Sequence, residues 1–313
     1  MSDNETARGR SRAVNVGAPR YRPRDSRPAP ARSFNPRTRV IAITSGKGGV
    51  GKSTIAANLA VMLAARGHRV GLLDADVHGF SIPRLMGLVA LGDVIEAPTL
   101  QGDALVPPEA HGVRVVSIGM FSPAGEREAI AWRGPMLHRA LNQLLVDVDF
   151  GELDFLVVDM PPGTGDMAIS AGKLLPQAEV VVVTTPHPAA ARVAWRSGLI
   201  AQRLGHELIG VVANMTHLRL PGAQVLPVFG TGGAETVADQ LTQQGGTRVE
   251  LLATVPLDPT LAEAGLLPSD EREFPRTETA IAIASLASAI EGSPRGRGAD
   301  VTASPQPTDP SDQ

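Results

Sequence analysis

The sequence predicts a doubly wound α/β fold, a mainly parallel sheet with helices on both faces. Short β-branched runs alternate with longer helical patterns, which is the rhythm of βαβ units. Several of those runs are apolar throughout, as strands covered on both faces must be. Composition agrees: 43% of the 313 residues are hydrophobic but only 3% are aromatic, so Ala, Val, Leu and Ile must fill the core. A chain of this length and apolarity holds one large domain or two small ones.

In chain order, strands are expected over 40–44, 70–73, 113–118, 155–158, 180–184, 208–213 and 249–254. Helical patterns cover 53–66, 134–146, 189–204 and 233–243, with Gly67, Gly205 and Gly245 standing where left-handed C-terminal stops belong. Residues 1–37 are read as a disordered Arg/Pro-rich tail, 38–290 as one nucleotide-binding domain and 291–313 as a second disordered tail. Residues 1–39 carry ten arginines against Asp3, Glu5 and Asp25, a local net of +7, so the remainder must carry −10 of the overall −3. An acidic domain does not grip a phosphate backbone broadly, so any nucleic-acid affinity would have to lie in the tail, which is read first as solubilising, with transient contact to RNA, DNA or anionic lipid as the alternative. No apolar run approaches the roughly 20 residues that span a bilayer, and no signal-peptide core follows the N-terminal arginines, so a soluble cytoplasmic protein is expected. The chain has no Cys, which excludes disulfides, catalytic thiols, zinc thiolates and any iron–sulfur cluster held on its own sulfur.

One loop concentrates the chemistry. Gly46-Lys47-Gly48-Gly49-Val50-Gly51-Lys52-Ser53, followed by Thr54, fits the P-loop pattern between an apolar strand and an Ala-rich helix. Its glycines let successive N–H groups face phosphate oxygens, and the helix adds its positive end. Lys52 is expected at the β and γ phosphates of ATP and the Ser53 hydroxyl on Mg²⁺. The chain has only three lysines, Lys47, Lys52 and Lys173, and two of them lie in this loop. A compact ammonium on a flexible stem is evidently wanted there. Asp159 closes the apolar run 155–158 at a strand end, where open α/β sheets bind ligands, and is read as a direct or second-sphere Mg²⁺ partner. Asp74 and Asp76 follow the run 70–73 on one side of an extended chain, and one of them is expected to orient the attacking water. Met120, Met160 and Met215 are read as packing residues, and His78, His187 and His217 as loop or surface groups.

These residues carry a resemblance over nearly the whole core. The Gly46–Thr54 stretch resembles the deviant Walker A motif of the MinD/ParA class of dimerising P-loop ATPases. Within that class, LDADVHGFSIP from Leu73 to Pro83, WRGPM from Trp132 to Met136 and DMPPGTGD from Asp159 to Asp166 look like the Mrp/ApbC branch of iron–sulfur cluster carrier ATPases. The resemblance implies that Lys47 contacts phosphates across a homodimer holding ATP between its subunits, and that Asp76 activates water. It implies a γ-phosphate switch at Asp159, Pro162, Gly163, Gly165 and Asp166, adenine recognition by Asn214, and a border to the base at Pro256 to Asp258. It implies iron–sulfur client or scaffold proteins as partners. The sequence departs from the family in two places. The Arg/Pro tail stands where many relatives have a small N-terminal domain. A Cys-Pro-x-Cys pair that holds a shared 4Fe-4S cluster is replaced, with Leu220 and Ala223 at the thiolate positions around Pro221. One His217 per subunit cannot make up that ligand set, and Leu and Ala offer iron no lone pair. The expected function is therefore an Mg²⁺-dependent dimerising ATPase of iron–sulfur protein assembly without its own cluster ligands. The alternatives are a nucleotide-switched positioning module using the Arg-rich tail on nucleic acid or membrane, and a nucleotide-dependent structural partner with little hydrolysis.

Overall fold

The computed structural model describes residues 35, 37–77, 79–90, 93–102, 104–121, 134–268 and 277–294. The expected tails up to residue 34 and from residue 295, together with His78, Trp132 and Arg133, lie outside the described residues. All seven expected strands form, each within a residue or two of its predicted ends. They are β1 (Arg39–Ser45), β2 (Val70–Asp74), β8 (Val113–Ser117), β9 (Phe155–Asp159), β10 (Glu179–Thr184), β11 (Glu207–Ala213) and β14 (Glu250–Thr254). The edge strand β7 (Glu109–Ala110) runs antiparallel to β8, while the seven others are parallel in the order β14-β11-β10-β1-β9-β2-β8. Strand pairs too short to predict precede it, β3 (Val89–Ala90) with β4 (Val94–Ile95) and β5 (Thr99–Gln101) with β6 (Ala104–Val106).

Side chains alternate across the sheet and build a core on each face. Ile41, Ile43, Leu72, Val157 and Val181 meet α1 (Lys52–Ala65), α2 (Ser81–Leu85) and α8 (Glu278–Gly292). Val40, Ala42, Leu73, Val158 and Val182 meet α3 (Gly134–Asp147), α4 (Asp166–Leu174), α5 (Pro188–Arg203) and α6 (Gly233–Gly245). Helices on both faces bear out the doubly wound reading. The sequence did not foretell α2, α4, α8 or the short α7 (Pro259–Ala264). Helix α8 is apolar on nearly every side, so it has little polar face from which a 3.6-residue period could be read. The stop of α6 also moves: Gly245 is its last helical residue, and the left-handed position falls on Gly246 at φ +70°.

At the N-terminal edge of the sheet a buried ion pair joins neighbouring strands. Arg39 Nε donates to Glu179 Oε1 at 3.0 Å and Nη2 pairs with Oε2, while the same guanidinium reaches the Ile290 carbonyl and, at 2.8 Å, Ser293 Oγ. Arg39 thus fastens the end of α8 to β1. Breaking a buried pair strands a charge. Glu179→Ala should cost about 3–5 kcal/mol in urea unfolding, well beyond a surface substitution. Close by, His206 is buried with its Nδ1 unpartnered, and burial holds its pKa below the usual histidine value, against the opposing pull of the Ala178 and Gly172 backbone. The unfolded chain then takes up the proton first, so stability is present above the unfolded value near 6.5 and is lost as pH falls from there through the lower folded value. His206→Leu should flatten that acid slope, which is at most about 1.4 kcal/mol per pH unit, in a pH series of thermal melts.

Candidate functional site

The phosphate loop lies between β1, buried along its whole length, and α1, which opens at Lys52. At two of its glycines the loop has no room for a side chain. Gly51 holds φ +84°, and a Cβ there would overlap the Asn214 amide. A Cβ on Gly46 would overlap the backbone of α5 at Val193 and Ala194. Lys47, Gly48 and Gly49 are exposed at the tip, with Lys47 anchored through its carbonyl, which accepts from Ser45 Oγ at 3.1 Å.

Strand register gathers the acidic residues. Ile43 pairs with Asp159, Asp159 with Asp74, and Asp74 with Ser117, so one row across β1, β9, β2 and β8 ends in three polar side chains. Asp159 and Asp74 are completely buried. Lys52 Nζ donates to Asp159 Oδ1 at 2.6 Å and stands 3.3 Å from Asp76 Oδ2, while Ser53 Oγ donates to Asp159 Oδ2 at 2.6 Å. Asp159 therefore bridges the first two residues of α1. Burial is the largest influence on Lys52 and acts to lower its pKa, yet the charges of Asp159, Asp76 and Asp74 and the Asp159 hydrogen bond outweigh it, so the ammonium is held more firmly protonated than usual. Burial, then the charge of Asp159, pushes the Asp74 carboxyl well above the carboxylate range. The same desolvation raises Asp159, opposed by Lys52 and Ser53. The Asp159 and Asp76 carboxylates face one ammonium, with the Asp74 carboxyl in the adjoining register position. Ser53 Oγ and Asp159 Oδ2 are hard oxygen donors side by side, the type that Mg²⁺ takes.

The chain after β9 is pinned back onto this loop. Gly163, at φ +89°, donates its N–H to the Ser45 carbonyl at 2.8 Å, and Ser197 Oγ on α5 lies 3.2 Å from that same carbonyl and 3.1 Å from the Gly163 carbonyl. Pro162 and Gly163 are half-buried, whereas Gly165 and Asp166 are exposed at the start of α4. Asn214 is brought to the loop as well, its Nδ2 donating to the Val50 carbonyl at 2.8 Å. Pro256 and Asp258 lie beside it because the chain past β11 and the chain past β14 are laced together by Thr216 N to Val255 O and Leu257 N to His217 O. Asp258 has a structural task there: it caps α7 through Thr260 N at 2.9 Å and accepts from Thr279 Oγ1 at 2.8 Å. Ser197 and Ser117 were not singled out from the sequence; their only signal was a polar residue on an otherwise apolar element.

Further along, β12 (Leu218–Arg219) and β13 (Val225–Leu226) form a hairpin whose turn is Pro221–Ala223. Val225, Leu226 and Val228 are exposed, and His217 and Arg219 both reach Glu278 at the head of α8. Leu220 and Ala223 thus fall at the hairpin turn without a sulfur ligand. The donor set does not fit a cluster held by this chain.

A model of the ParA family, described as the NUBPL iron-transfer P-loop NTPase, matches residues 37–290. A Mycobacterium tuberculosis iron-sulfur cluster carrier protein is 51% identical over 228 residues, 73% of this chain and 58% of that protein. The chain thus spans somewhat over half the length of this relative. Among solved structures, a nucleotide-binding protein from Archaeoglobus fulgidus in complex with ADP is 31% identical at a TM-score of 0.60, over 78% of this chain and 95% of that one. The septum site-determining protein MinD from Pyrococcus horikoshii complexed with Mg-ADP is 25% identical at a TM-score of 0.57, over 82% and 96%.

Because Lys52 compensates buried carboxylates, Lys52→Met should destabilise the nucleotide-free protein by about 3 kcal/mol or more in urea unfolding.

Proposed function

The chain belongs to the ParA family of P-loop NTPases, of the NUBPL iron-transfer type, and on that premise we propose that it is an Mg²⁺-dependent ATPase working as a pair of copies in iron–sulfur protein assembly. The observation that carries this reading is the Lys52–Asp159–Ser53 cluster beside Asp76. On this reading Gly46 to Thr54 cradle the phosphates of ATP, and Lys52 transfers its ammonium from Asp159 to the β and γ oxygens. Ser53 and Asp159 would hold Mg²⁺, which when bound supplies positive charge against the phosphate oxygens. Asp76 lies beside Lys52 at the mouth of the site and orients the attacking water, accepting its proton. Gly163 leaves the Ser45 carbonyl when a γ-phosphate arrives, and that exchange sets the position of Pro162, Gly165 and Asp166. Asn214 and Pro256 border the base, with Asp258 fixing the loop behind them. Lys47, exposed at the loop tip, extends to the nucleotide of a second copy, which makes the homodimer the hydrolytic unit.

The cargo is an iron–sulfur cluster whose thiolates come from a client or scaffold protein, since this chain supplies none. Among the described residues no helix is long and apolar enough to cross a membrane.

Phosphate release should fall at least about 100-fold in Lys52→Ala and in Asp76→Ala, losses of the size expected when phosphate charge stabilisation or water activation is removed. Wild-type turnover in both variants would remove the mechanism. Anaerobic reconstitution with iron and sulfide should leave the chain alone without stoichiometric iron, with or without Mg-ATP. Stoichiometric iron on the isolated chain would overturn the client-thiol reading.

A further inference from the structure

We propose that Ser117 is a positioning residue for Asp76, acting through Asp74; the inference rests on the ATPase reading and deepens it. Asp74 is wholly buried and ends β2 in register with Ser117 on one side and Asp159 on the other. Its two oxygens are divided between neighbours. Oδ1 accepts the Asp76 backbone N–H at 3.1 Å, and Oδ2 accepts the Ser117 hydroxyl at 2.9 Å. Ser117 Oγ in turn accepts the Gly119 N–H at 3.1 Å, so its own hydrogen is directed at Asp74. The relay runs from Gly119 N–H through Ser117 and Asp74 to the backbone of Asp76, whose carboxylate stands 3.3 Å from Lys52.

A second contact fastens the same loop at the same place. The Phe80 ring lies where a Cβ of Gly119 would be, so the turn Ile118–Phe121 touches the chain following Asp76 as closely as a side chain-free residue permits. Ser117, completely buried, faces none of the expected positions of ATP directly; its effect is on how the Asp74 carboxyl turns, and thereby on where the next residue but one points. An Asp74 carboxyl group lacking the Ser117 hydroxyl is free to rotate about χ2, a broad torsion, and the Asp76 amide loses a fixed acceptor.

Ser117→Ala should lower kcat for ATP about tenfold while KM changes less than twofold, and Ser117→Thr, which restores the hydroxyl, should recover most of the loss. Hydrogen exchange of the Asp76 amide should quicken at least tenfold in Ser117→Ala, whereas the Ala75 amide, bonded to the Asp159 carbonyl at 2.9 Å, keeps its wild-type rate. Unchanged kcat together with unchanged Asp76 exchange overturns the proposal, as does a fall in kcat that Ser117→Thr leaves unrepaired. Should Ser117→Ala fail to fold, Ser117→Cys, which keeps the size of the side chain but replaces the hydroxyl by a weak thiol donor, carries the same two readouts. Absence of turnover in the wild type would sink the ATPase reading, and the exchange rates would still decide whether Ser117 holds Asp76.

Discussion

Everything at the C-terminal edge of the sheet depends on one ammonium. Lys52 stands against Asp159 and close to Asp76, with Asp74 in the adjoining register position, so two carboxylates share one positive charge beside a third, buried carboxyl group. Without it the wholly buried Asp159 carboxylate would stand uncompensated beside the Asp74 carboxyl of the neighbouring strand, an arrangement that low dielectric makes costly. The ion pair also joins α1 to β9, and with Ser53 it sets the first turn of that helix, from which the phosphate loop hangs.

The arrangement follows from parallel pairing. Parallel strands that start from the same edge deliver their last residues to the same level, and here the register sets Asp159, Asp74 and Ser117 in one row. The sheet is thus a ruler for the site: sliding β2 by one residue would turn Asp74 to the opposite face and put Leu73 or Ala75 in its place. Cores on both faces, built from alternating Ile, Val and Leu, are what forbid that slip.

The central strands and the loop were legible in the sequence because their signals are local. An apolar run, a glycine-rich octapeptide and an Asp at a strand end all lie within a few residues of one another, and the structure brings Lys52, Ser53, Asp76, Asp159 and Asn214 to a common region. The site's finer supports were not legible. Ser117 meets Asp74 across 43 residues, Ser197 meets Ser45 across 152, and Arg39 meets Glu179 across 140, separations at which a single serine or charged residue carries no pattern of its own. Helix α8 was missed for the opposite reason, an apolar sequence too uniform to show a period. Asp258 shows that position alone does not fix a role, since its carboxylate is engaged in capping α7 and receiving Thr279.

The contact between Gly46 and α5 has a mechanical side. Because no side chain separates the loop from the helix backbone at Val193 and Ala194, there is no rotamer between them to absorb a displacement. One helical turn further along the same face, Ser197 grips both the Ser45 and Gly163 carbonyls. Helix α5 is therefore a stiff rod touching the phosphate loop and the chain after β9 at once. The phosphate loop and the chain after β9 thus share one support, and neither can shift against α5 without breaking a contact to it.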